Sequence, residues 1–151
     1  GDSPYLRVTN WKRPARGSRE LAERTAGLIL RQAAALGEGA VVLAAYPDEA
    51  HISARETEEL RELAGRIAFV GALGAPPELA DAGVRTGPLF PDDDTLRGTW
   101  TVAALGPGLA ACFVARAIGD DTYELATSYD RDLVVESALL IMARLSPQAP
   151  Q

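Results

Sequence analysis

One cysteine, one histidine, one lysine and one methionine stand in a chain of 151 residues. The single Cys112 excludes an internal disulfide, and with His51 the only imidazole there is no Cys/His set for zinc. A reducing compartment, and with it a cytoplasmic location, is the expectation. No apolar run approaches the roughly 18–20 residues that cross a bilayer. The first residues lack the charged, apolar and small-residue order of a signal peptide, so no membrane partner is expected. A glycine-rich phosphate loop is missing as well: Gly71-Ala72-Leu73-Gly74-Ala75-Pro76 follows a strand-like run and precedes a helix, but Pro76 stands where the dinucleotide fingerprint needs a third glycine.

What is present is ordinary in amount and uneven in charge. Hydrophobic residues at 47% and charged residues at 24% suffice for one globular core. The net charge of −6 hides two regions. Residues 1–19 carry five Lys/Arg against Asp2 alone, a formal +4, which leaves ten cations and twenty carboxylates, a formal −10, in residues 20–151. An acidic body repels phosphate, so nucleic acid is not an expected partner of the folded part.

Residues 1–17, with Pro4, Pro14, Gly17 and no apolar period, read as a basic arm or linker. From Ser18 apolar residues recur at helical spacing, and Gly37 stands at the exit, which predicts a helix over 18–36. Ala40 to Ala45 reads as a buried strand. Ser53-Ala54-Arg55-Glu56 matches a capping box, in which the Ser53 hydroxyl accepts from the Glu56 amide and the Glu56 carboxylate reaches back to the Ser53 amide. The helix it opens buries Leu60, Leu63, Ala64 and Ile67, and Ile67 to Leu73 follows as a second strand, together a right-handed βαβ unit. Pro76-Pro77 opens a short helix closed by Gly83, and Val84 to Phe90 is predicted as a short edge strand broken by Pro88. Thr99 to Leu105, Leu109 to Ile118 and Tyr123 to Tyr129 form an antiparallel meander. Asp130 caps a closing helix whose Leu133, Val134, Ser137, Ala138, Ile141 and Leu145 share a stripe. The expected fold is therefore mixed α/β (α+β): one central mixed sheet with a βαβ unit and a C-terminal antiparallel meander, helices packed on it, GAF/PAS-like in general layout. Its divisions are an arm at 1–17, one domain at 18–146 and a tail at 147–151.

Candidate chemistry is sparse. Asp92-Asp93-Asp94 lacks the alternating ligands and distal Glu of a calcium loop and reads as a solvated turn capping the next segment. Asp120-Asp121 reads the same way. His51 has no Cys, Ser or second His at triad or ligand spacing, and a small-molecule enzyme would have to rest on it and Asp92 to Asp94. Cys112, mid-strand with no cation nearer than Arg116, reads as a buried, inert thiol. Trp100 heads a central strand with an N–H that is costly to bury alone. Core packing is its ordinary role, and the functional alternative is the wall of a ligand pocket shared with Phe90, Cys112, Phe113 and Tyr129. On the arm, Tyr5 and Trp11 could stack on a base or dock on a neighbouring domain, although a linker lying against the acidic body accounts for both.

The stretch Leu96-Arg97-Gly98-Thr99-Trp100, followed by the Gly106-Pro107-Gly108 turn and the alanine-rich run to Ala115, resembles the DICT family of bacterial sensory domains. Tyr123-Glu124-Leu125 to Asp130 is similar to that family's aromatic-Glu pair, short strand and final helix. Thr99 stands where a Glu is usual, and Asp121-Thr122 where an Arg is usual. The resemblance covers Ser18 to Leu145. It implies a regulatory input module without catalysis of its own, joined to or acting on a cyclase, kinase or transcription regulator as its output partner. No cofactor follows from it. A small ligand is one expected partner, and the alternative is a homodimerisation module without ligand, its closing helix packed on a second copy.

Overall fold

A computed structural model describes residues 2–88 and 94–146, with Glu49 described by its backbone alone. Six strands form one sheet in the order β1-β6-β5-β4-β2-β3, where β1 is Ala15–Ser18, β2 Val41–Ala45, β3 Phe69–Leu73, β4 Trp100–Gly106, β5 Leu109–Ala117 and β6 Thr122–Ser128. Only β2 and β3 are parallel, joined through helix α3 (Ala54–Ala64), and every other pair is antiparallel. The sheet is mixed, as the βαβ unit and the meander require.

Both sheet faces are covered. Alternation along each strand sends Val42, Ala44, Trp100, Val102 and Phe113 to one side, where α2 (Arg19–Leu36) and α3 bury Ala26, Ile29, Leu30, Leu60 and Leu63. The other side takes Leu43, Ala45, Cys112 and Val114 against Val134, Ala138 and Ile141 of α4 (Arg131–Met142). Helix α2 starts at Ser18, whose hydroxyl accepts from the Leu21 amide, and α4 at Asp130, whose carboxylate accepts from the Leu133 amide.

The first seventeen residues are not an extended linker. Ser3 caps a helix, α1 (Pro4–Thr9), with Pro4 in its first turn, and Tyr5 and Val8 are buried in the second core. Strand β1 then pairs with β6, Ala15 opposite Leu125. The segment is tied to the body: Arg7 pairs with Asp2 and Glu136, Lys12 donates to the Thr127 carbonyl at 2.8 Å, and Arg116 of β5 lies over the Tyr5 ring while the Tyr5 hydroxyl donates to Glu124. The acidic body and the basic segment meet as one packed structure.

Of the edge strand expected over 84–90, the described part, 84–88, shows a single bridge between Gly71 and Arg85. Arg85 exchanges hydrogen bonds with Val70 and Ala72, but the next carbonyl, Thr86, accepts from the Ser146 amide. Pro88 has no N–H to continue a ladder. Leu89 to Asp93 and the tail at 147–151 lie outside the described residues.

Gly74 fixes the end of β3 beside β2. Its φ is +68°, and a Cβ there would stand 2.2 Å from the Tyr46 carbonyl oxygen. Gly74→Ala is expected to cost roughly 3 kcal/mol or more, read as a lower urea midpoint, because Tyr46 itself is anchored by its N–H to the Leu73 carbonyl at 2.9 Å.

Candidate functional site

Helix α3 carries the residue around which the site is built. Its cap forms as the sequence suggests on one side only: the Ser53 hydroxyl accepts from the Glu56 amide at 3.0 Å. The Glu56 carboxylate does not reach back to the Ser53 amide. It turns inward and is 4% exposed, in helical register with Leu60 and Leu63 on the buried stripe.

Three buried polar atoms face one another there without a hydrogen-bond partner: Glu56 Oε2, the Tyr46 hydroxyl and Trp100 Nε1. Burial pushes the Glu56 carboxyl up to about 7, with the negative Glu59 and Glu23 adding to the rise. The Tyr46 hydroxyl and the Trp100 N–H are its hydrogen-bonding neighbours and oppose that rise, although no hydrogen bond of good geometry closes among the three atoms. Tyr46 is fully buried, and its hydroxyl is raised well above its ordinary value by burial and then by Glu56. The cluster is thus an acid in an apolar setting with two donors directed at it, a costly arrangement for a merely structural group.

Trp100 joins this cluster to an aromatic wall. Its ring meets Phe113 edge-on at 5.2 Å and Tyr123 at 6.2 Å, with Tyr46 tilted at 6.3 Å. Beside it lies a cavity of about 120 Å³, walled by Trp100, Tyr123, Pro47, Ala115 and His51. On the other side of Glu56 a polar cleft of about 200 Å³ opens between α2 and α3.

Of the five residues expected to share a pocket, the four that are described do not all meet. Trp100 and Phe113 are together. Cys112 cannot join them, because adjacent strand residues point to opposite faces and its side chain lies under α4. Tyr129 is 68% exposed and lines a surface groove with Trp11, itself 81% exposed. Phe90 lies outside the described residues. The Cys112 thiol, fully buried, is pushed by that burial up to about 12, so a disulfide-exchange thiol probe at mildly alkaline pH should leave the native protein unlabelled and react only once it is denatured.

The other candidates have local roles. Asp94 accepts from the Leu96 amide at 2.9 Å and from Arg144 at 2.7 Å, and although burial acts to raise it, these partners hold it below the usual carboxylate range. Asp92 and Asp93 are outside the described residues. His51 Nδ1 lies 2.7 Å from Asp48, whose carboxyl that contact lowers. Asp121 accepts from the Arg19 amide at the start of α2. Tyr5 is a core residue, 5% exposed. Among the described residues no group of three His, Cys, Asp or Glu is placed to hold a metal, and no helix is long and apolar enough to cross a membrane.

Fold and site together define a mixed α/β domain, helices on both sheet faces, with a cation-free buried carboxylate beside an aromatic-lined cavity. Comparison with protein-family models, with curated proteins and with solved structures found no match. Nothing in these comparisons identifies the chain as a DICT domain.

Proposed function

We propose that this domain is a non-catalytic, DICT-like signal-sensing module that binds a small ligand at the Glu56–Trp100 locus and biases an attached or interacting output module. The observation that carries the reading is the buried Glu56, Tyr46 and Trp100 cluster, whose polar atoms close no hydrogen bond of good geometry, with Glu56 lining the α2–α3 cleft and Trp100 the smaller cavity. A ligand that supplies their missing hydrogen bonds gains what the apo domain forgoes, about 1–3 kcal/mol for each group satisfied. Trp100, the residue most central to the family resemblance, also stands at this locus. Helices α2 and α3 form its roof, so a ligand there shifts their packing on the sheet, and a few kcal/mol of differential affinity suffices to switch a two-state element.

A thermal-shift panel of cellular metabolites, flavins and tetrapyrroles tests the reading. At least one compound is expected to raise the melting temperature of the wild-type chain and to lose that effect in Trp100→Phe, which keeps a ring and removes the N–H. A panel with no stabilising compound counts against direct sensing.

A second reading has one observation in its favour. Val135, Leu139 and Met142, at i, i+4 and i+7 of α4, form an exposed apolar stripe. Pairing of that helix with a second copy around Leu139 would make the chain a dimerisation module, with or without a ligand. Sedimentation at several concentrations decides, since a strict monomer excludes it.

A further inference from the structure

The cleft between α2 and α3 is lined by four glutamates, and three of them already have a cation. Glu20 pairs with Arg24 at 3.0 Å, Glu23 with Arg19 at 3.0 Å, and Glu59 lies between Arg31 at 3.8 Å and Arg55 at 3.6 Å. Glu56 is the deepest of the four, and no cation pairs with it among the described residues. Its Oε2 is enclosed on the side of Tyr46 and Trp100, where no hydrogen bond of good geometry closes, while the residue itself lines the cleft. We propose that this cleft binds a small organic cation, a primary amine or guanidinium compound, whose N–H groups donate to the Glu56 carboxylate. The inference rests on the ligand-sensing reading above and assigns the ligand class for the same locus.

The chemistry of the lining favours a cation over the alternatives. An anion entering the cleft would meet Glu23, Glu56 and Glu59, while the arginines that could receive it are held by carboxylates. A cation meets Glu56, with which no cation pairs among the described residues, and there the desolvation already imposed by the fold strengthens the new pair. At about 200 Å³ the cleft falls below the roughly 300 Å³ at which sites for drug-sized ligands begin, which limits the ligand to a small metabolite.

Binding moves a proton. The groups facing Glu56 are Tyr46 from the end of β2, Trp100 from β4, Glu20, Glu23, Arg24 and Arg31 from α2, and Arg55 and Glu59 from its own helix. The Glu56 carboxyl is held at about 7. Below neutrality the carboxylic acid gives its proton to solvent as the ammonium or guanidinium ion pairs with the resulting carboxylate. Above neutrality the carboxylate is already formed and no proton is released. Apparent affinity therefore rises with pH, about tenfold between about pH 6 and about pH 8 for a single released proton.

The experiment uses the whole chain with methylammonium, 1,4-diaminobutane and guanidinium at millimolar concentration as probes, followed by calorimetry at both pH values in two buffers of different ionisation enthalpy. The expected result is binding of at least one probe, about tenfold tighter at the higher pH, with close to one proton released at the lower pH and none in Glu56→Gln. Glu38→Gln, an exposed site outside the cleft, should bind as wild type does. Absence of binding by all three probes, equal binding by Glu56→Gln, or affinity that falls with pH would each overturn the proposal. If a compound from the metabolite panel stabilises the chain while no cation binds, the ligand class is wrong and the sensing reading stands. If neither occurs, both are wrong.

Discussion

At about pH 8 the Glu56→Gln variant should be more stable than the wild-type chain by about 3 kcal/mol, and near pH 4 the two should be equal. The sign follows from where the proton sits. The folded chain holds the Glu56 proton up to about 7, whereas the unfolded chain releases it at the ordinary value of 4.5. Between these values the folded state binds the extra proton, so stability falls as pH rises from about 4.5 to about 7 and then levels off. The difference of about 2.5 pH units, at about 1.4 kcal/mol each, sets the size. Glutamine has the shape of the neutral acid and does not ionise, so its stability curve lacks this slope. Urea unfolding at a series of pH values provides the comparison. A wild-type curve that rises through the same interval while Glu56→Gln matches it would show that the carboxylate is solvated.

Removing residues 1–17 should abolish cooperative folding or lower stability by roughly 4 kcal/mol or more. The loss has three parts. Val8 and Tyr5, 0% and 5% exposed, leave the core under α4, and each buried side chain of this size contributes about 1.5–3 kcal/mol. Strand β6 loses its pairing with β1 and becomes a bare edge. Glu124 and Glu136 lose Tyr5 and Arg7. Circular dichroism and urea unfolding of the truncated chain measure the outcome, with Val8→Ala as a milder variant that keeps the fold. A truncated chain as stable as the full one would mean that α1 and β1 are detached in solution.

The reason this segment was not legible in the sequence is its brevity. Helix α1 has six residues, of which Tyr5 and Val8 are the apolar pair at helical spacing, too few to set a period, and β1 contributes Ala-Arg-Gly-Ser with no strand pattern at all. Both form because the rest of the sheet offers them a partner. The longer elements could be read directly: α2 from Ser18 to Leu36, the two parallel strands around the Ser53 cap, the three strands of the meander and the Asp130 cap each carried caps, periods or turn glycines that agree with their burial. The edge strand after Val84 was a local reading that tertiary structure overrides, since Ser146 takes the Thr86 carbonyl.

Of the site, Trp100 was legible and its partners were not. Cys112 and Phe113 are neighbours on one strand, so their assignment to one pocket conflicted with the two-residue alternation of side chains. Glu56 was visible for the wrong reason. Its place in the Ser53 capping box explained it, yet it also lies four residues before Leu60 and seven before Leu63, on the stripe that the same helix buries. A carboxylate on an apolar stripe is the signal that the capping motif concealed. Tyr46, between Ala45 and Pro47, had no mark beyond its size.

The central claim is that Glu56 is a buried acid without a cationic partner at the wall of the α2–α3 cleft. Carbon-13 NMR titration of the glutamate side-chain carboxyls, with Glu56→Gln to assign the resonance, tests it most directly. The prediction is one glutamate resonance titrating near 7 and absent from Glu56→Gln, with that midpoint falling when a binding amine is added. All glutamates titrating together in the ordinary range, unmoved by any amine, would contradict it.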